Sequence, residues 1–134
     1  MSCGDFDFWL GRWRGTWAGG SAVNEISKRH DGRVILEEFQ ADPPDAFSGM
    51  SVSVVDESSG RWRQTWVDSD GDYLDFAGGR VEDEMQFSRR SEDGVAQKMV
   101  WTDVEADRFE WYWLRCEPGG EWEAVWHISY ERLA

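Results

Sequence analysis

The sequence predicts an all-β fold: a single antiparallel up-and-down barrel of about ten strands, preceded by a short N-terminal helical turn. Turn-forming clusters of Gly, Pro, Asp and Ser recur along the 134 residues and separate segments of roughly six to twelve residues. Within these segments apolar and polar residues alternate, as in strands with one buried face. Closing the strands into a barrel removes the exposed edges of an open sheet, so a barrel is favoured over the alternative, a β-sandwich.

The first element differs from the others because it does not alternate. An acidic N-cap candidate, Asp5, precedes a short apolar segment, and Gly11 follows it at a C-terminal capping position. We therefore expect a helical plug over about 5–10. Its apolar side chains would pack into one end of the barrel: Phe6, Trp9 and Leu10.

The rest of the domain, about 12–132, divides into ten predicted strands. They are roughly 12–19, 21–30, 33–41, 47–55, 61–68, 72–77, 80–88, 95–103, 107–117 and 121–132. The pair Gly78-Gly79 is interpreted as the turn between the sixth and seventh strands. No linker or repeat divides residues 1–134, so one domain is predicted.

Alternation assigns most tryptophans to the inner face. Trp62 and Trp66 share a face with Gln64, and Trp111 and Trp113 share a face on the ninth predicted strand. On the last strand one face is shared by Trp122, Ala124, Trp126, Ile128 and Tyr130, and Trp126 is expected to point inward. Whether these rings fill the barrel or surround a cavity is left open by the pattern.

Composition excludes several classes of protein. The chain has 27 acidic and 14 basic residues, a net charge of −13, which disfavours nucleic acid and anionic membrane as partners. A 15% aromatic content, including ten tryptophans, excludes disorder as the main state.

Cysteine usage and hydropathy set further expectations. Two cysteines, Cys3 and Cys116, are too few for a disulfide framework or a recognisable zinc motif. No apolar run approaches the ~20 residues of a membrane span, and no secretory signal pattern is visible, so a cytoplasmic location is expected.

Several motifs resemble a known family. Gly15-Thr16-Trp17 on the first strand together with Arg132 on the last resembles the calycin barrels, the lipocalins and their relatives. The segments 6–13 (FDFWLGRW) and 60–68 (GRWRQTWVD) more specifically resemble the DUF1579 family of uncharacterised bacterial proteins. The resemblance implies a calycin-like barrel in which Trp17 and Arg132 close one end by cation–π stacking.

The first functional hypothesis is binding of a small apolar or aromatic molecule, with a carboxylate or carbonyl end held by arginine or glutamine. The candidate ligand-binding residues are Trp62, Gln64, Trp66, Met99, Trp101, Trp111, Trp113, Arg115, Trp126 and Arg132. No cofactor, no metal and no catalytic residue is predicted, because no nucleophile elbow or zinc-protease motif occurs.

Three alternatives are kept. A haem-binding barrel resembling the nitrobindins would use His127 as the iron ligand, although alternation places His127 on the wet face. A cavity lyase or isomerase would recruit Tyr73, Arg115 and Glu38. An interaction module would form a homodimer through exposed aromatic residues such as Trp122.

Overall fold

The computed structural model describes residues 3–134 and confirms the predicted barrel: ten antiparallel strands and one 3-10 turn, Asp7–Trp9, at the N-terminus. The strands are β1 (Gly11–Trp17), β2 (Gly20–Arg29), β3 (Val34–Ala41), β4 (Ser48–Asp56), β5 (Arg61–Asp68), β6 (Tyr73–Val81), β7 (Glu84–Arg90), β8 (Ala96–Thr102), β9 (Arg108–Cys116) and β10 (Glu123–Arg132). Each strand pairs with its neighbours in sequence, and β1 pairs with β10 to close the sheet.

The N-terminal turn plugs one end of the barrel. Phe6 and Trp9 are buried and stack on each other with ring centroids 4.4 Å apart. Phe6 also meets Trp62 at 5.6 Å and Trp101 at 5.0 Å, in both cases edge to face. The turns that follow β2, β4, β6 and β8 surround this closed end, so the turns that follow β1, β3, β5, β7 and β9 surround the opposite, open end.

Arg132 closes the plugged end with Trp13, and the prediction that it stacks on Trp17 is wrong. Its guanidinium carbon lies 4.2 Å from the centre of a Trp13 ring. Gly11 makes room for this contact: its φ is +125°, and a Cβ atom there would lie 2.5 Å from Arg132 Nη1. Trp13 and Trp17 point inward from the same strand, so alternation could not tell which of them lies at the end where Arg132 emerges.

The same guanidinium also holds the plug to the barrel. Its Nη1 donates a hydrogen bond to the Leu10 carbonyl at 2.7 Å, and its Nη2 donates to the Ala106 carbonyl at 2.9 Å. Ala106 lies in the turn between β8 and β9, so Arg132 connects the N-terminal turn, β10 and a second turn of the closed end.

Replacing Arg132 with alanine is therefore expected to lower the free energy of unfolding by about 1–3 kcal/mol, because charged hydrogen bonds and a cation–π contact are lost together. Arg115→Ala is the matched control: Arg115 is half-exposed and makes one ion pair with Glu117 at 2.9 Å, so about 0.5 kcal/mol or less is expected. Urea denaturation followed by far-UV circular dichroism measures both. Equal costs for the two variants would contradict the role assigned to Arg132.

Two local predictions are wrong: the turn at Gly78-Gly79 and the unbroken alternation along the last strand. Gly78 and Gly79 lie inside β6, which continues to Val81, and not in a turn. At Gly78 the neighbouring strand approaches so closely that a Cβ atom would lie 1.8 Å from the Gln86 carbonyl oxygen. In β10 a bulge between Ala124 and Trp126 breaks the alternation.

The bulge changes the inner face predicted for the last strand. Trp122 precedes β10, is exposed, and lies under the Lys98 ammonium group, 4.5 Å from the ring centroid. Ala124 is exposed as well, whereas Ile128 and Tyr130 are buried as predicted. The homodimer suggested through Trp122 stays a prediction.

Strand β4 has the reverse of the usual polarity. Ser51 and Ser53 are buried, whereas Met50, Val52 and Val54 are exposed on the outside. A hydroxyl inside a barrel needs a hydrogen-bond partner, so this inversion indicates polar groups in the interior. Among residues 3–134, no helix has the length and apolar character that a membrane crossing requires.

Candidate functional site: a cavity inside the barrel

The barrel encloses a cavity of about 340 Å³ between the N-terminal turn and the open end. Its lining is mostly aromatic and aliphatic: Trp9, Phe39, Phe47, Trp66, Leu74, Met99, Trp101, Trp111, Trp113, Val125, Trp126 and Ile128. The polar lining residues are Asn24, Glu37, Asp68, Asp72 and Tyr130. A second, larger groove on the outside is lined largely by exposed charged residues such as Arg80, Glu82, Asp83 and Glu105.

Edge-to-face packing keeps the cavity walls in place. Trp111 meets Trp126 at 5.5 Å with an interplanar angle of 85°, and Trp126 meets Trp17 at 5.3 Å and 90°. Rings arranged in this way support one another without stacking across the barrel. Not every inward-facing tryptophan belongs to these walls, since Trp13 and Trp62 fill the closed end and do not line the cavity.

A polar cluster lies on the part of the cavity wall that β2, β3 and β4 form. Glu37 on β3 accepts a hydrogen bond from Asn24 Nδ2 on β2 at 2.8 Å and another from Ser51 Oγ on β4 at 2.7 Å. Three neighbouring strands thus meet at one carboxyl group. Asn24 Oδ1 is buried and has no hydrogen-bond partner among residues 3–134. Tyr130 on β10 is buried in the same lining.

Burial controls the ionisation of this cluster. Desolvation raises the pKa of Glu37 above its ordinary value, and the hydrogen bonds from Asn24 and Ser51 only partly oppose that rise. Burial and the nearby Glu37 raise the pKa of Tyr130, so its hydroxyl stays neutral. A carboxyl group with a raised pKa inside a cavity is typical of a functional site.

The charges around the cavity have one sign. Glu37 lies inside and Asp68 and Asp72 lie near the open end, whereas no Lys, Arg or His belongs to the described lining. Asp68 is held in place because its Oδ2 accepts the indole N–H of Trp66 at 2.8 Å. The cavity therefore combines apolar walls with an acidic character.

Neither the family-model scan nor the search of curated proteins finds a match to this chain.

Six of the ten predicted ligand-binding residues line the cavity. These are Trp66, Met99, Trp101, Trp111, Trp113 and Trp126. The other four lie elsewhere. Trp62 packs at the closed end, and Gln64 Nε2 is buried against Ser53 Oγ at 2.9 Å. Arg115 pairs with Glu117, and Arg132 holds the plug, so neither arginine reaches the cavity to bind a carboxylate.

The residues of the haem alternative lie outside the cavity. His127 is exposed on the outer face, as alternation predicted, where its Nε2 lies 2.7 Å from Glu110 Oε1. Its ring stacks on Tyr112 with centroids 4.2 Å apart. The structure does not bring this histidine to the interior. Among the described residues, no group of three or more His, Cys, Asp or Glu side chains could hold a metal ion.

The residues of the lyase alternative are also not brought together. Tyr73 and Glu38 are exposed, and Arg115 belongs to the ion pair with Glu117. None of the three lines the cavity. The neighbour of Glu38, Glu37, does line the cavity, because its side chain points to the opposite face of β3.

The sequence reasoning missed Glu37, Asn24 and the role of Tyr130 in the lining. A signal was present for the first two. Glu37 lies on the same face of β3 as Ile35 and Phe39. Asn24 lies on the same face of β2 as Ala22 and Ile26. Each is therefore a polar residue on an otherwise apolar face. Such residues are the informative exceptions to the rule that apolar side chains are buried.

Proposed function

We propose that the barrel binds a small, largely apolar or aromatic molecule inside the cavity. The observation that carries this proposal is a space of about 340 Å³ inside the barrel with indole walls. Pockets for small molecules are concave and mostly apolar, with a few polar groups that fix orientation, and the cavity has that composition.

The volume limits the size of the ligand. At about 30 Å³ for each water in the liquid, the space corresponds to roughly ten water molecules. A ligand of about ten to fifteen non-hydrogen atoms is of matching size. A phenyl or indole ring with a short side chain has this size, and its ring faces can contact the tryptophan walls.

The proposal is tested with 4-phenylbutan-1-ol, a neutral molecule of suitable size that does not absorb where tryptophan is excited. We expect a dissociation constant of about 0.01–1 mM, since small ligands gain a limited free energy per atom. Isothermal titration calorimetry and intrinsic tryptophan fluorescence measure the binding.

Met99→Trp is the cavity-filling variant, because Met99 is buried and lines the cavity. It should weaken binding of the alcohol by about tenfold or more, since the added ring occupies the space of the ligand. Val52→Trp adds the same ring on the outer face of β4 and should leave the affinity unchanged. The proposal fails if the wild-type protein does not bind the probe, or if Met99→Trp binds it as well as Val52→Trp does.

Membership in the DUF1579 family is likewise our proposal. It is supported by the motifs at 6–13 and 60–68 and by the barrel that the resemblance implies. The closing pair expected for such a barrel is here formed by Trp13 and Arg132.

A further inference from the structure

The cavity holds a carboxyl group, Glu37, and no basic side chain belongs to the lining that the described part of the chain forms around it. Glu37 receives hydrogen bonds from neutral donors only, Asn24 and Ser51. The residues that face it across the two neighbouring strands are Ile26 on β2 and Ser51 on β4. A buried carboxylate without a positive partner is costly.

Hydrogen-bond acceptors are also left unfilled around Glu37. Asn24 Oδ1 is buried and unpartnered, and it lines the cavity beside the carboxyl group. In the ionised state each Glu37 oxygen has room for a further donor in addition to the one it already receives. Asn24 Oδ1 and the Glu37 carboxylate oxygens are therefore hydrogen-bond acceptors available to the same part of a ligand.

From this juxtaposition we propose that the bound ligand carries a protonated amine, held at the inner wall by Glu37 and Asn24 Oδ1. The inference rests on the proposed function and names the chemical class of its ligand. An ammonium group supplies up to three N–H donors and the missing positive charge. The tryptophan faces of the lining also attract a cation.

The remaining groups of the lining agree with a cationic ligand. Asp68 and Asp72 near the open end repel an anion and attract a cation as it enters. Tyr130 is neutral and can accept or donate. Trp9 Nε1 is a buried N–H without a partner in the lining, but one neutral donor does not offset three carboxyl groups.

Binding should be coupled to the ionisation of Glu37. In the free protein burial raises the pKa of this carboxyl, and a bound ammonium group favours the charged form. Amine binding therefore releases a proton wherever Glu37 is protonated in the free protein. The other titratable groups of the lining are Tyr130, Asp68 and Asp72, so affinity for an amine should fall as the pH is lowered through the raised pKa of Glu37.

The test compares three probes that share one phenyl ring and differ in their end group: 4-phenylbutylamine, 4-phenylbutan-1-ol and 4-phenylbutyrate. At pH 8 the wild-type protein should bind the amine about 10- to 100-fold more tightly than the alcohol, and the carboxylate most weakly. Lowering the pH from 8 to 4, which is below the ordinary value of 4.5 from which the pKa of Glu37 is raised, should weaken amine binding and leave alcohol binding unchanged.

Glu37→Gln should remove most of the preference for the amine and leave the affinity for the alcohol within about threefold, because glutamine keeps the shape and loses the charge. Glu38→Gln is the matched control. It removes the same charge from the exposed outer face of the same strand, so a preference that came only from the net charge of −13 would respond equally to both variants.

The outcomes separate the two proposals. If no probe binds the wild-type protein, the proposed function itself fails. If the alcohol binds as tightly as the amine, if the carboxylate binds most tightly, or if Glu37→Gln keeps the preference for the amine, the cavity binds ligands but the amine inference is overturned. The pH dependence of the wild-type protein provides a result that does not depend on the folding of any variant.

Discussion

Replacing Trp13 with alanine is expected to lower the free energy of unfolding by about 3–5 kcal/mol, the usual cost of removing a fully buried large aromatic side chain. Trp13 has 0% of its surface exposed. Its indole N–H donates to the Trp9 carbonyl at 2.8 Å, and its ring meets Phe109 edge to face at 4.7 Å. The variant would also leave the Arg132 guanidinium without the ring on which it lies.

Trp17→Ala is the matched variant, because both tryptophans point inward from β1 and each ends a Gly-x-Trp motif. Trp17 is only partly buried and meets Trp126 and Phe39 near the open end. A loss of about 1–2 kcal/mol is expected for it. Urea denaturation of both variants gives the comparison. A larger loss for Trp17→Ala would show that the closing role assigned to Trp13 is wrong.

Replacing Glu37 with glutamine is expected to stabilise the protein at pH 8, by about 1 kcal/mol or more, because a buried carboxyl group with a raised pKa and no positive partner lowers the stability of the fold there. The hydrogen bonds can be kept, since the glutamine oxygen can accept from Asn24 and its amide can donate to Ser51. The variant would therefore be better folded in the absence of a ligand.

The gain should depend on pH in a defined direction. The pKa of Glu37 is raised in the folded state from the ordinary value of 4.5, so the folded protein binds this proton more tightly than the unfolded chain. The wild-type protein therefore loses stability as the pH rises above about 4.5, until the raised pKa is passed. Glu37→Gln has no such proton, so its advantage should be small at pH 4 and largest at pH 8.

Thermal denaturation of the wild type, Glu37→Gln and Glu38→Gln at pH 4, 6 and 8 measures this effect. The exposed Glu38 is the control, for which a change within about 0.5 kcal/mol at each pH is expected. A Glu37→Gln variant that is less stable than the wild type at pH 8 would mean that the carboxylate stabilises the fold. A gain in stability together with a loss of amine binding would instead be the trade-off expected of a functional residue.

The fold could be predicted from the sequence because the alternation of apolar and polar residues is a property of each short segment. The segments 61–68 and 108–116 alternate so regularly that their strands and inner faces follow from a few residues. The prediction was wrong where contacts between strands control the backbone. The close approach of the Gln86 carbonyl leaves room only for glycine at Gly78, so the glycine pair lies inside a strand, and the bulge in β10 breaks the alternation so that Ala124 is exposed.

The sequence predicted the aromatic lining of the candidate site but not its acidic group, Glu37. Trp111 and Trp126 could be assigned to the interior from alternation alone. The expectation that arginine would bind a carboxylate end on the ligand followed from Arg115 and Arg132, and both lie outside the cavity. Because Glu37 lies in the lining, the ligand that we propose carries a positive charge, whereas the sequence suggested a carboxylate or carbonyl end.

The sequence by itself determined that this chain forms strands, which side chains most of those strands turn inward, and that the interior is rich in tryptophan, because a period of two is a property of each segment alone. The tertiary structure decided which Gly-x-Trp motif contacts Arg132, because the tryptophans of both motifs point to the same face of β1. It also decided that some indoles fill the barrel while others surround a space, and that Glu37 meets Asn24 and Ser51. Those outcomes depend on the register and closure of ten strands, which no single segment encodes.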